Sequence, residues 1–437
     1  MKAILIKDGR IIDPGQGIDE LGSLLLSEGK IAWRKAVPPQ GDYDILYAEG
    51  MVVCPGFIDL HCHLRQPGFE EKETIATGTR AAAKGGFTTV CAMPNTSPPL
   101  DNKETIEYVR AEAEKSGAIR VLPIGCVTRG RKGEELADMA ELAGAGAIGF
   151  SDDGSPVKDP EIMRRALERS RELGLPVIDH CEEPSLIEGG QMNEGELARR
   201  LGLRGIPSAS EEIMVSRDIM LARMIGGHVH IAHVSTSGAV ALIRNGKRQG
   251  IKVTAEVTPH HLTLTEEECN GYNTNAKVSP PLRTRRDNQS LLRGLKDGVI
   301  DIIATDHAPH ARSDKECDFT QAANGISNFE TALGSLLGLV HGGQLSLPEL
   351  IARLTFAPAQ FLKYDLLGTL KVGAPADIAI FDPYDEWTVD PASFVSRGKN
   401  TPLAGRVLKG RNMATIYGGK LVYKDDAIKF IGEYERG

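Results

Sequence analysis

Asp59-Leu60-His61-Cys62-His63 sets two imidazoles two residues apart. In an extended chain such residues project to the same side, a geometry that can grip one metal ion. The plainer alternative is two histidines hydrogen-bonded at a strand end. Four other apolar runs finish in the same way. They lead into Ser151-Asp152-Asp153-Gly154, Asp179-His180, His228 to His233, and Thr305-Asp306-His307. If these runs are neighbouring strands, their ends bring imidazoles and carboxylates to one place. That ligand mixture suits zinc, with manganese, iron or cobalt as alternatives. Four histidines and two carboxylates exceed the roughly three protein ligands of one catalytic zinc. Two metals sharing a carboxylate and a hydroxide use six ligands comfortably.

Other polar residues have quieter explanations. His228 and His230 lie early in their run and read as structural. His260 and His261 follow a strand and would support the site from behind. His341 sits in an apolar helix-like run and reads as non-functional. Cys62 and Cys181 alternate away from the ligand histidines and read as packing residues. No GxSxG elbow occurs and none of the seven cysteines has a nucleophile signature, which disfavours serine and cysteine hydrolases.

The elements that must position these residues alternate in type. Short apolar runs are separated by amphipathic segments from about residue 55 to 364, the pattern of β/α units on a parallel sheet. Eight strands are expected: Gly56–His61, Phe87–Met93, Arg120–Val127, Gly146–Ser151, Leu175–His180, His228–His233, Lys252–Thr258 and Ile300–Asp306. Asp159-Pro160 opens a helix that closes on Gly174. Lys103–Ser116 has helical spacing, and Thr265 to Glu268 has capping-box spacing. The expected fold is α/β, a (β/α)₈ TIM barrel at residues 55–364, with an open doubly wound sheet as runner-up. The lack of a GxGxxG after the first strand weakens that runner-up. Residues 1–54 and 365–437 are rich in short strands and turns. They are expected to form one small discontinuous β-sandwich domain. Ala308–Gly325 is polar and aperiodic, and reads as a lid directly after the last strand.

Composition narrows the setting. A chain of 437 residues is long enough for a large domain and a small one. With 41% hydrophobic and 25% charged residues it reads as globular rather than disordered. A net charge of −8 argues against a broad nucleic-acid surface. No apolar run is long enough to cross a membrane, and no signal peptide is visible at the N-terminus. Seven cysteines without a framework fit a reducing compartment, so the cytoplasm is the expected location.

Seven motifs make a resemblance specific: GFIDLHCHLRQPG (56–68), MPNTSP (93–98), GFSDDG (149–154), DHCE (179–182), IAHVST (231–236), PPLR (280–283) and ATDHAPH (304–310). On these the chain resembles the amidohydrolase superfamily, and within it the class I bacterial dihydroorotases. The resemblance implies two zincs per chain, bridged by Asp153 and a hydroxide. His61, His63 and Asp306 would bind the first, and His180 and His233 the second. Asp153 is preferred to Asp152 on the resemblance alone, since pattern does not separate neighbours. Many superfamily members bridge through a carboxylated lysine, and this chain has Ser-Asp-Asp instead. Arg65, Asn95 and His310 would hold a substrate carboxylate, with His63 lying alongside. Asn324 and Gly325 would offer backbone contacts to the substrate ring. Ser279 stands where the family usually has asparagine before PPLR, which puts the direct ring contact in doubt. Asp306 would act as the catalytic proton carrier. The implied reaction is the reversible cyclisation of N-carbamoyl-L-aspartate to dihydroorotate and water, in pyrimidine biosynthesis.

Two rival readings follow. A hydantoinase, dihydropyrimidinase or allantoinase would act on substrates that lack the carboxylate Arg65 would bind, or place it differently, and commonly carries the lysine. A non-catalytic partner of aspartate transcarbamoylase would have lost metal ligands, and this chain keeps all six. The partner expectations are the small-molecule substrate, a homo-oligomer and aspartate transcarbamoylase, with neither nucleic acid nor membrane.

Overall fold

The computed structural model describes residues 2–432 apart from 36 and 38. Strands from both ends of the chain join in one nine-stranded sheet. Its seam is the antiparallel pairing of Val52–Pro55 with Ile378–Thr388, where Val53 faces Ile380. Ile4–Asp13 lies on the other side of Val52–Pro55 and leads to the hairpin of Ile18–Ser27 and Lys30–Lys35. Beyond Ile378–Thr388 come Val407–Tyr417 and Lys420–Lys424. The link before Lys420 is Gly418-Gly419, with φ of 55° and 78°. Two left-handed residues give the turn whose twist matches that of the flanking strands, which favours glycine. Alternate apolar residues such as Ile6, Leu24, Val53, Ile378, Ile380 and Ile416 bury against each other and form this unit's own core.

Between these ends the chain alternates strand and helix. Three parallel strands, Phe57–Cys62, Phe87–Ala92 and Arg120–Pro123, form one sheet. Four more, Val177–Asp179, Val229–Ile231, Val253–Val257 and Ile302–Ile303, form a second. Isolated parallel bridges run from Gly125 to Phe150, from Phe150 to Val177, and from Cys62 to His307. Seven of the eight expected strands are therefore present, with ends trimmed. The expected strand Gly146–Ser151 is reduced to the bridging residue Phe150. Its neighbours supply Pro123 and Pro176, whose nitrogens carry no hydrogen, so a regular ladder cannot extend along either side.

Helix Pro160–Leu173 forms as expected. The Asp159 carboxylate accepts from the amides of Glu161 at 2.7 Å and Ile162 at 3.2 Å, and Gly174 closes it at φ 70°. Lys103–Ser116 is also helical. The expected capping box at Thr265 is absent. That segment is a single 3₁₀ turn, Glu266–Cys269, with no side-chain cap, and the Glu268 carboxylate is drawn to Arg406 instead. Ala308–Gly325 is not featureless, for it holds the one-turn helix Arg312–Lys315. Among the described residues, no helix is long and apolar enough to cross a membrane.

Candidate functional site

The strand ends do converge. His61 lies on Phe57–Cys62 and His63 directly after its end, and both rings turn toward Asp306, which lies just past Ile302–Ile303. His63 Nε2 is 3.1 Å from Asp306 Oδ1, and His61 Nε2 is 3.6 Å from the same oxygen. Asp153 sits in the middle. Its Oδ1 is 3.4 Å from His61 Nε2, 3.4 Å from His233 Nε2 and 3.6 Å from His180 Nδ1. Its Oδ2 is 3.5 Å from His63 Nε2. All six side chains are buried. Asp152 points elsewhere and accepts from the amides of Val127 and Thr128 at 3.0 and 3.1 Å. Its carboxylate is engaged in holding a loop, which leaves Asp153 as the central one.

Several backbones at this point are strained. Arg65, His233 and Asp306 have φ of 61°, 30° and 44°. Non-glycine residues pay for that conformation only where the surroundings enforce it, and such positions cluster at functional sites.

The electrostatics show what the cluster needs. Burial works against the charged rings of His61 and His180. Asp153 with Glu256, and Asp153 with Glu182, overcome it, and His180 is pushed up to about 10. Burial would also raise Asp153, yet the surrounding imidazoles hold it well below the usual carboxylate range. Carboxylate charge is concentrated here and calls for cations. Two atoms confirm the fit. His61 Nε2 and Asp153 Oδ1 are buried with no hydrogen-bond partner among the described residues. Ligand atoms of His61, His63 and Asp306 gather closely enough to hold an ion, and so do those of His61, Asp153 and His233; the two groups share His61, and His180 is in neither. A third group, Asp179, Cys181 and Asp218, is already compensated by Arg217, 2.7 Å from Asp218 and 3.4 Å from Asp179. Cys181 packs in the hydrophobic core as expected and also meets Asp218 Oδ2 at 3.4 Å.

The sequence-expected substrate residues line one cavity of about 560 Å³ over this cluster: Arg65, Asn95, Ser279, His310, Asn324 and Gly325. Arg65 is held by the Pro309 carbonyl at 3.2 Å, and its Nη2 is 3.4 Å from His310 Nε2. Burial lowers its guanidinium to about 10, so it stays charged at neutral pH. Asn95 Oδ1 meets His63 Nδ1 at 2.8 Å. His310 Nε2 meets the Asn324 carbonyl at 2.8 Å, and burial, then Arg65, push its ring down to about 3. His310 is therefore uncharged at neutral pH and adds no positive charge beside Arg65. Ser279 donates its hydroxyl to Glu182 at 2.5 Å, and Glu182 in turn meets His180 Nε2 at 2.8 Å. Arg131, Lys132 and Lys158 line the same cavity beside Arg65, together with the carboxylates of Asp153, Glu182 and Asp306.

Segment 308–325 is tied down by two buried lysines. Lys315 Nζ donates to the carbonyls of Thr274, Lys277 and Ala323 at 3.0, 3.2 and 2.6 Å. Lys277 Nζ donates to the Phe319 carbonyl and to Gln191 Oε1, each at 2.7 Å.

Sequence reasoning missed three supports. Glu256 Oε1 lies 2.6 Å from His61 Nδ1. Asp59 accepts from the Thr305 amide and hydroxyl, both at 2.7 Å, and so fixes the residue before Asp306. Glu182 stands two residues beyond His180, and that spacing was a usable signal, since both project to one side of an extended chain. Nothing local marks Glu256, which reaches a histidine 195 residues away.

Comparison with known proteins places the chain in a family. Residues 50–239 match a family described as dihydro-orotase-like, and residues 282–423 match the amidohydrolase family. A dihydroorotase of Syntrophus aciditrophicus is 49% identical over 97% of this chain and 100% of its own length. One from Pelotomaculum thermopropionicum is 50% identical over 98% and 100%. Among solved structures, the L-hydantoinase of Arthrobacter aurescens superposes with a TM-score of 0.88 at 25% identity, covering 97% of this chain and 96% of its own. The dihydropyrimidinase of Brevibacillus agri gives 0.84 at 23% identity, over 98% and 96%, a likeness of fold. Its near-full-length identity to these relatives, with an amidohydrolase-type α/β structure beneath it, shows that the chain belongs to the dihydroorotase family of metal-dependent cyclic amide hydrolases.

Proposed function

We propose that this chain interconverts N-carbamoyl-L-aspartate and dihydroorotate at the cluster around Asp153, in the cytoplasm, as a step of pyrimidine biosynthesis. The observation that carries the reading is the pairing of a cation-demanding cluster with Arg65 over the same cavity. The catalytic unit is residues 55–364, read as a (β/α)₈ barrel. The parallel bridges at Phe150 and between Cys62 and His307 support that reading, since they link the two parallel sheets at both edges. The described residues of 1–54 and 365–432 form the second, discontinuous domain, supported by their shared sheet.

His61, His63 and Asp306 would hold one zinc, His180 and His233 a second, and Asp153 would bridge them. Such ions supply Lewis acidity and bring the pKa of water toward neutrality. The rest falls to the chain. Arg65 binds the ring carboxylate through its guanidinium fork, with Asn95 and His310 completing the grip. Asn324 and Gly325 orient the ring. Asp306 takes the proton of the attacking water at Oδ1 and delivers it to the departing ring nitrogen. In the synthetic direction the same carboxyl starts protonated. The segment 311–323, held by Lys277 and Lys315, covers the ring and excludes water.

A hydantoinase reading is countered by Asp153 in place of a lysine and by the charged Arg65 in the cavity lining. Metal content per chain, together with turnover of dihydroorotate beside hydantoin and dihydrouracil, tests the proposal. Two metals and turnover of dihydroorotate alone are expected. Full activity with less than one metal, or equal turnover of hydantoin, overturns it.

A further inference from the structure

Glu256 does not end at His61. Its second oxygen, Oε2, lies 3.2 Å from His230 Nε2. His230 Nδ1 is 2.8 Å from Thr254 Oγ1, and the same hydroxyl is 2.8 Å from His228 Nε2. Two pairs of residues at i, i+2 spacing build this line: His228 with His230, and Thr254 with Glu256. The neighbouring parallel strands hold His230 directly opposite Thr254. His228 and Thr254 line a separate cavity of about 750 Å³, which also takes in Phe361 and Lys363. The line therefore runs from that cavity, through the interior, to the candidate metal centre.

The hydrogen-bond inventory allows it one direction. A His61 ring whose Nε2 lone pair faces a metal must carry its hydrogen on Nδ1, and Glu256 Oε1 accepts it. The Glu256 carboxylate then accepts at Oε2 from His230 Nε2–H. With its hydrogen on Nε2, His230 presents a bare Nδ1, which accepts from the Thr254 hydroxyl. The threonine oxygen accepts in turn from His228 Nε2–H. Glu256 Oε1 also lies 3.4 Å from the His233 amide, so one carboxylate steadies a ring and a backbone of two candidate ligands. The opposite tautomer of His61 would aim a lone pair at the carboxylate and close Nε2 to any metal.

We infer that Glu256, His230, Thr254 and His228 act as one directional hydrogen-bond chain that fixes the His61 tautomer, making them positioning residues for metal retention. The inference rests on the metal reading of the Asp153 cluster. His228 and His230, which sequence alone marks as merely structural, thereby gain a role in the site.

The test is the rate at which metal leaves the purified protein under excess chelator. Thr254→Val removes one hydroxyl, far from the ligands, without changing side-chain shape. It should speed metal loss about fivefold, the worth of one net hydrogen bond. Thr254→Ser should restore the wild-type rate. Glu256→Gln, which puts a donor against a donor, should speed loss about 10-fold or more. An unchanged rate in T254V, or T254S as fast as T254V, overturns the chain. Should T254V fail to fold, nitrogen-15 shifts of the labelled wild-type histidines decide. Hydrogen on Nε2 of His230 is expected, and hydrogen on its Nδ1 overturns the proposal. A wild type that binds no metal would instead sink the metal reading itself.

Discussion

Nε2 of His61 lies 3.4 Å from Oδ1 of Asp153, and neither atom has a hydrogen-bond partner among the described residues. Two buried polar atoms facing each other unsatisfied are costly, unless a third group sits between them. Removing one of them tests this directly. His61→Ala is expected to lose metal and activity together. Elemental analysis and a thermal melt, with and without added zinc, check it: wild type should gain stability from the metal and the variant should not.

Arg65 is placed above the cluster and outside it. Arg65→Met should keep full metal content and raise KM for dihydroorotate about 10- to 100-fold, the worth of a charged hydrogen-bond pair. Steady-state kinetics beside metal analysis separates the two effects. Unaltered KM would remove the carboxylate assignment.

Asp306 faces both His61 and His63. Asp306→Asn keeps an oxygen for the metal but cannot carry a proton. The expected loss in kcat is about 100- to 10,000-fold, with little change in KM.

Ser279 separates two roles. Its hydroxyl is donated to Glu182, which meets His180. Ser279→Ala should loosen metal binding more than it changes KM. A large rise in KM with metal retention intact would return Ser279 to direct substrate contact.

His228 should leave a mark on acid stability. Burial, followed by the neighbouring His230, lowers its ring from the ordinary 6.5 to about 4. Between those values the unfolded chain binds a proton that the native ring refuses. Stability from this source is present above about pH 6.5 and is lost as pH falls toward about 4. His228→Asn should therefore narrow the difference in urea midpoint between about pH 5 and pH 7. An undiminished difference would assign the acid sensitivity to other groups.

Much of the site was legible in the chain. His61 and His63 declare a shared face because side chains alternate with a period of two, and strands ending in His180, His233 and Asp306 declare convergence because parallel strands end on one side. The terminal segments also declared themselves as strands by their alternation and turns. Tertiary structure decided what depends on distant partners. Asp152 and Asp153 are equivalent in the sequence, and only the amides of Val127 and Thr128 draw one of them away. Glu256 acquires its role from a histidine on another strand, and Ser279 turns to Glu182 because that carboxylate stands within reach. The strand expected at Gly146–Ser151 shrank to Phe150 because prolines in its neighbours withhold their hydrogen bonds, a condition set by which strands become adjacent. Periodicity is a local property and survives in one dimension. The choice of partner is a property of packing, and it exists only once the chain has folded.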